Sequence, residues 1–130
     1  MKTRILLLAI SMMFAVALQA QTYDQLWKRV QQMEQKDLPK SVIAEAQAIY
    51  QKAKAEQNVP QMMKAYLTMM VYRKSISPDS LAVDVKGLEE WAASPQTEVQ
   101  DRAVLYSILG GEVNDFDMSN EYLRFSLKDS

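Results

Sequence analysis

The stretch "KDLPKSVIAEAQAIYQ", Lys36 to Gln51, places Pro39 directly before a run of apolar residues with helical spacing. A proline costs about 3 kcal/mol in a helix interior, but the first helical turn tolerates it because its missing N–H has no partner there. Pro39 therefore predicts a boundary between two helices. The other prolines, at positions 60, 78 and 95, also lie between helical patterns.

The segments between these boundaries each place their apolar residues at the i, i+3, i+4 spacings of a helix. Working outward from Pro39, the sequence predicts five such helices. Their apolar positions are Tyr23, Leu26, Trp27, Val30 and Met33; Val42, Ile43, Ala46, Ile49, Tyr50 and Ala53; Met62, Met63, Tyr66, Leu67, Met69, Met70 and Val71; Leu81, Val85, Leu88, Trp91 and Ala92; and Val99, Ala103, Val104, Tyr106, Ile108 and Leu109.

Local signals refine the helix ends. Thr22 and Gln25 have the spacing of a capping box for the first helix. The second helix is expected to end near Asn58. Ser77 is expected to cap the fourth helix, and Asp79 to favour its positive N-terminal dipole. The third helix is apolar on most sides, which predicts a central position with packing on two faces.

The predicted fold class is all-α, an array of about five helices in antiparallel hairpins after a signal peptide. The array is repeat-like and resembles tetratricopeptide repeats, since Tyr23, Pro60 and Thr97 recur at a constant spacing of about 37 residues. Tetratricopeptide repeats have a period of about 34 residues and a defined pattern of small and aromatic positions. Neither is clean in this sequence.

Residues 1–20 have the layout of a signal peptide, with Lys2 and Arg4 ahead of the apolar run from Ile5 to Leu18. That run is shorter than the roughly 17 residues that a membrane span needs. Cleavage fits after Ala20 or at the A-x-A pattern Ala15–Ala17. The mature chain is therefore expected to be exported, periplasmic or extracellular, with no membrane span. Because the sequence has no cysteine, it can have neither a lipid anchor attached to an N-terminal cysteine nor a disulfide.

Three segments are predicted from this layout: a signal peptide over 1–20, an α-helical domain over 21–113, and a divergent or partly ordered tail over 114–130. Gly110 and Gly111 interrupt the helical pattern before that tail. The fifth helix spreads its apolar residues too widely for the preceding helices to cover. Within this sequence, the candidates to cover the remainder are Tyr122, Phe125 and Leu127.

The composition excludes most routes to catalysis. The sequence contains no histidine and no cysteine, which excludes His-containing triads, thiol nucleophiles and ordinary zinc sites. Its three glycines cannot form a phosphate-cradling loop. A formal net charge of −1 provides no basic footprint for nucleic acid. We therefore expect no enzyme, no cofactor, no metal and no nucleic-acid partner.

Two groups of polar side chains could suggest a metal or catalytic site. Asp115, Asp117 and Ser119 alternate as calcium ligands do, but an EF-hand loop needs Gly and Glu where this sequence has Asn120 and Ser126. A polar turn is the better interpretation. Glu89 and Glu90 are adjacent on a predicted helix and diverge by about 100°, so they are interpreted as a solvated face rather than an acid/base pair.

The methionine and tryptophan positions allow two interpretations each. The pairs Met62-Met63 and Met69-Met70 fit either a core or an adaptable peptide groove, and the core is favoured. Trp27 and Trp91 lie within apolar stripes, which favours core positions over interface anchors.

Several phrases resemble the N-terminal helical region of exported alpha-2-macroglobulin-like proteins of Bacteroidetes-type bacteria. They are "YDQLWKRV", "KDLPKSVI", "IYQKA", "PQMMKAYL" and "SPDSLAVDVKGLEEWA", in that order between Gln21 and Leu109. The resemblance implies a helical preface to a series of macroglobulin-type β-sandwich domains in a proteinase-trapping protein. The Cys-x-Glu-Gln thioester of many members is absent, and no functional residue of the family carries over.

Two functional hypotheses follow. The leading one is a non-catalytic helical scaffold, the truncated, split or excerpted N-terminal part of an alpha-2-macroglobulin-like protein that contacts the domains following it. The alternative is a free-standing periplasmic adaptor that binds a protein or peptide on a repeat-like helical surface.

Overall fold

A computed structural model describes residues 21–110. These residues form five helices and no strand, which confirms the all-α prediction. The helices are α1 (Tyr23–Gln35), α2 (Pro39–Ala55), α3 (Val59–Ile76), α4 (Ser80–Ala93) and α5 (Val99–Gly110). Pro39 is the first residue of α2 and Pro60 the second of α3, so both prolines lie in a first turn as predicted.

The start of α1 confirms the predicted capping box. The Gln25 N–H donates to Thr22 Oγ1 at 3.2 Å, and the Thr22 N–H donates to Gln25 Oε1 at 3.1 Å. Two backbone donors that have no partner within the helix are thereby satisfied.

Helices α1 and α2 end in the same way. The residue after each C-cap, Asp37 or Gln57, has a left-handed backbone with φ of 53° and 56°, respectively. The next amide closes the turn by donating to the carbonyl of Met33 at 3.1 Å in α1 and of Ala53 at 2.8 Å in α2. This is the Schellman pattern. It lets each helix stop and the next begin within three residues.

The predicted cap at the start of α4 is wrong. Helix α4 begins at Ser80 with Asp79 in the N-cap position, and no side chain caps it. Ser77 instead ends α3, with its N–H donating to the Arg73 carbonyl, and its own carbonyl accepts from the Ser80 N–H at 3.0 Å. Ser77 lies three residues before the first residue of α4, and its backbone forms the turn between α3 and α4. It therefore does not occupy the N-cap position of α4.

Consecutive helices pack against each other along the chain, and α3 has the central position that its sequence predicted. The α2–α3 contact is the most extensive and the α3–α4 contact the least extensive of the four consecutive pairs. Two hydrophobic clusters result. The first joins α1, α2 and α3 through Leu26, Trp27, Val30, Val42, Ile49 and Ala65. The second joins α3, α4 and α5 through Met63, Leu67, Met70, Leu88, Ala92, Leu105 and Ile108.

Several predictions fall outside residues 21–110. They are the signal peptide over 1–20, the tail over 114–130, the acidic group Asp115, Asp117 and Ser119, and the covering residues Tyr122, Phe125 and Leu127. The repeat relation between the hairpins also stays a prediction. Among the helices over 21–110, none combines the length and hydropathy that crossing a bilayer requires.

Candidate interaction surface

The described residues contain no group of three or more acidic side chains placed to hold a metal ion. Glu89 and Glu90 are both exposed on α4, as a solvated face requires. The feature of this domain that calls for a partner is an apolar surface, and it lies on α5.

Helix α5 has two apolar faces. One is buried through Leu105 and Ile108, which pack in the second cluster. The opposite face, here called the outward face, consists of Val99, Ala103, Tyr106 and Gly110, all exposed. Their i, i+4, i+7, i+11 spacing places them on one side of the helix. Val99 is 78% exposed and Tyr106 is 53% exposed.

The prediction that the preceding helices leave part of α5 uncovered is therefore confirmed for residues 21–110. Leu105 is fully buried, although it was not among the predicted apolar positions of this helix. Its spacing of three from Ile108 was the available signal. The other large apolar side chains that are exposed in these residues, Leu38, Ile76 and Val83, lie on three different segments. Scattered single residues of this kind are ordinary on protein surfaces.

The corner between α4 and α5 is fixed by Arg102. Its Nε donates to the Ala92 carbonyl at 2.9 Å, and its Nη2 donates to the carbonyls of Ser94 at 3.0 Å and Thr97 at 3.1 Å. The Thr97 hydroxyl in turn donates to the Trp91 carbonyl at 2.6 Å. These bonds add side-chain donors to the corner, where the Trp91 carbonyl also accepts from the Ser94 N–H and the Ser94 carbonyl also accepts from the Thr97 N–H. They hold α5, and with it the outward face, in a set orientation on α4.

The outward face carries no charge. From Ala103 to Gly110, α5 contains no ionisable acid or base other than the Tyr106 phenol. Acidic residues are confined to the start of the helix, where Asp101 is half-buried. Burial raises the pKa of the Asp101 carboxyl, and the charge of Glu98 adds to the rise.

The opposite end of the array has a different surface. The exposed residues of α1 are all polar: Asp24, Gln25, Lys28, Arg29, Gln31, Gln32, Glu34 and Gln35. Arg29 also pairs with Glu45 of α2 at 3.1 Å. The exposed residues of α1 are thus entirely polar, whereas those of α5 are apolar except for Gln100 and Ser107, which lie beside the outward face.

The two tryptophans differ in their surroundings. Trp27 is buried, its Nε1 donates to Gln61 Oε1 at 2.8 Å, and the Lys64 ammonium lies 4.3 Å from its ring centre. The core interpretation of Trp27 is confirmed. Trp91 is only half-buried and meets Tyr66 edge to face, with ring centres 6.1 Å apart. It borders the second cluster rather than filling it.

A polar group between α3 and α4 was missed by sequence reasoning. Asp84 is buried and accepts from Arg73 Nε at 3.2 Å, and its backbone carbonyl accepts from the Tyr66 hydroxyl at 2.7 Å. Burial raises the pKa of Tyr66 to about 12, and the Asp84 charge adds to the rise. The signal was available, because Asp84 lies in the stripe of Leu81 and Leu88. Its partners are internal, so this group joins two helices and forms no open site.

The four methionines of α3 differ in burial. Met63, Met69 and Met70 are buried, and Met62 is half-buried. Met63 and Met70 belong to the second cluster. The core interpretation holds for the three buried side chains, which do not line an open groove.

The chain matches no protein-family model, no curated protein and no solved structure. The resemblance to the alpha-2-macroglobulin-like region therefore stays a prediction.

Proposed function

We propose that this chain is a non-catalytic, exported helical scaffold whose outward face on α5 receives a protein partner. The observation that carries the proposal is the contrast between the two ends of the array. In stacked helical arrays a terminal helix exposed to water needs a polar outer face. Helix α1 has one and α5 does not, so α5 is built to be covered.

The partner in the leading version of this proposal is the macroglobulin-type domain that follows the helical region in the proteins that this sequence resembles. The helical domain would then orient the first such domain, and any trapping of a proteinase would be performed by the rest of that protein. Polar α1 would be the solvated outer end of the whole assembly.

A second version is a free-standing periplasmic adaptor. It is favoured by the two internal clusters and the satisfied corner at Arg102, because these give the helical region a core of its own. The same face would then bind a separate exported protein. The DNA downstream separates the two versions, since an open frame encoding β-sandwich domains supports the first and an unrelated gene supports the second.

The role of the outward face is tested with a hydrophobic fluorescent dye on the full processed chain. We expect dye binding that Tyr106→Glu reduces, because the substitution puts a charge in the centre of the face. Gln31→Glu on exposed α1 is the matched control and should leave dye binding unchanged. A chain that binds no dye, or that responds equally to both substitutions, would contradict the proposed docking face.

Export is tested separately by N-terminal sequencing of the protein from its secreting cell. We expect a mature chain that starts at Gln21 or just after Ala17. A protein that retains Met1 would overturn the exported part of the proposal while leaving the docking face untouched.

A further inference from the structure

The first described residue, Gln21, changes its chemistry when the signal peptide is removed after Ala20, one of the two cleavage positions that the sequence allows. Cleavage there converts the backbone nitrogen of Gln21 from an amide into a primary amine. In a glutamine, this amine and the side-chain amide carbon Cδ are placed to close a five-membered ring. Reacting groups tethered in this way react far faster than the same groups on separate molecules.

We propose that Gln21 of the exported chain is a modification site, at which the new amine attacks Cδ and forms a cyclic lactam, pyroglutamate. This inference rests on the export proposed above, because it requires cleavage after Ala20. The bond between the amine nitrogen and Cδ forms, and the bond between Cδ and Nε2 breaks. Nε2 leaves as ammonia with one proton from the amine, so the reaction needs no oxidant, reductant or second substrate.

The side chain of Gln21 is available for this reaction. Within residues 21–110, its Oε1 accepts no hydrogen bond, so no partner there has to be given up when the amide turns toward the amine. The amine is available as well, because α-amino groups titrate just above neutral pH and part of the population is the uncharged nucleophile.

The state of this chain end matters because α1 begins directly after it. Thr22, the next residue, caps α1 by accepting from the Gln25 N–H at 3.2 Å. Tyr23 then donates its hydroxyl to the carboxylate of Glu56, the C-cap of α2. An aminopeptidase needs a free α-amine, and the loss of two residues would delete the Thr22 cap. The lactam has no such amine, so it protects the start of α1 outside the cell.

The modification is tested by mass spectrometry of the protein collected from its secreting cell and analysed at once, so that cyclisation during storage does not contribute. We expect an N-terminal peptide that begins at residue 21, with a mass lower by one ammonia molecule than its sequence requires. An amine-reactive label should modify the lysines of the protein but not this chain end.

Gln21→Asn is the matched control. It keeps the amide but is one methylene shorter, so the same attack would have to form a strained four-membered ring. We expect the Gln21→Asn chain to begin at the same position with its full mass and an amine that takes the label.

Treatment with an aminopeptidase tests the protective role. We expect the unsubstituted chain to keep its mass and the Gln21→Asn chain to lose residues from its N-terminus. Removal of the lactam with a pyroglutamyl peptidase should expose Thr22 and make the unsubstituted chain susceptible too. Equal trimming of the unsubstituted and Gln21→Asn chains would overturn the protective role.

Three results would overturn the modification itself. A peptide that begins at Gln21 with a free amine and full mass would exclude the lactam and leave export intact. A peptide that begins at Leu18 would place cleavage after Ala17, where Gln21 stays internal and has no amine. A chain that retains Met1 would overturn export and the lactam together. The dye experiment on α5 is independent of all three, so failure of the lactam and failure of the docking face are distinguishable.

Discussion

At the scale of single residues, Gly87 sets how closely α3 and α4 approach. A Cβ at this position would lie 2.3 Å from the Tyr66 hydroxyl oxygen but 3.5 Å from the ring carbon that carries it. Only the hydroxyl therefore conflicts with a side chain at position 87. The ring has little freedom to move away, since it packs between Tyr50 and Trp91.

This geometry predicts that the effect of Gly87→Ala on the free energy of unfolding has opposite signs with tyrosine and with phenylalanine at position 66. In the unmodified chain it should lower the free energy of unfolding, although alanine favours a helix over glycine by about 1 kcal/mol. In a Tyr66→Phe chain the conflict is gone, and Gly87→Ala should raise the free energy of unfolding by up to about 1 kcal/mol. Urea denaturation of the four proteins of the cycle measures this. The same effect in both backgrounds would show that Tyr66 does not limit the approach.

Arg102 provides a second prediction at this scale. Arg102→Met removes the donors to three carbonyls and should lower the free energy of unfolding by about 1–3 kcal/mol. Arg29→Met is the control, because it removes an exposed ion pair with Glu45 that contributes at most about 1 kcal/mol. Denaturation midpoints of the two variants give the comparison. Equal losses would mean that the hydrogen bonds of Arg102 do not stabilise the corner.

Single residues differ in how far their roles can be predicted from the sequence. The capping box of Thr22 and Gln25 is local, so its spacing was sufficient to predict it. Arg102 and Asp84 act through partners that lie 5 to 18 positions away in the sequence. Their roles depend on how the helices pack, which the pattern of one helix does not contain.

At the scale of elements, the ends of α1 and α2 place non-glycine residues in a left-handed backbone that costs roughly 1–2 kcal/mol for most side chains. Asp37→Gly and Gln57→Gly should therefore raise the free energy of unfolding, by about 0.5–1 kcal/mol each. The larger gain is expected at Gln57, because aspartate tolerates this backbone better than glutamine does.

The control for this prediction is Lys36→Gly, one residue earlier, where φ is −84° and glycine offers no advantage. Thermal unfolding followed by circular dichroism should show a higher midpoint for Asp37→Gly and an unchanged or lower one for Lys36→Gly. If both raise or both lower the midpoint, the left-handed position is not the source of the effect. Pro39 and Pro60 allowed these helix boundaries to be predicted from the sequence. The left-handed positions could not be predicted, because they are occupied by Asp37 and Gln57 and not by glycine.

At the scale of the whole molecule, two hydrophobic clusters share α3, and the contact between α3 and α4 is the least extensive. A domain whose halves meet through its least extensive contact can open in parts rather than all at once. Leu88→Ala should cost about 2–5 kcal/mol in the second cluster. It should lower the hydrogen-exchange protection of α4 and α5 more than that of α1 and α2.

Ile49→Ala in the first cluster is the matched variant, because both side chains are fully buried. It should lower the protection of α1 and α2 more than that of α4 and α5. Hydrogen exchange followed by mass spectrometry resolves the two halves. Equal loss across all helices from either variant would establish one cooperative unit.

The all-α fold and the order of its helices could be predicted because apolar periodicity and prolines act over short distances. The uncovered side of α5 could be predicted too, since Val99 and Tyr106 lie far around the helix from Ile108. The sequence did not predict that the exposed residues of α5 form one continuous, uncharged face. That result depends on which side of α5 faces inward, and the burial of Leu105 determines it. That choice is made by packing against α4.

The burial of Met63, Met69 and Met70 has a chemical consequence for a protein proposed to act outside the reducing interior of a cell. Peroxide oxidises a thioether to a sulfoxide, which is polar and occupies more space. While α3 is enclosed, these sulfur atoms are shielded from the oxidant, and they react when the central helix opens. A sulfoxide formed there cannot return to an apolar site without cost, so each such event leaves the molecule less able to close. The sulfoxide content of Met63, Met69 and Met70 is thus a chemical record of how often the domain has opened.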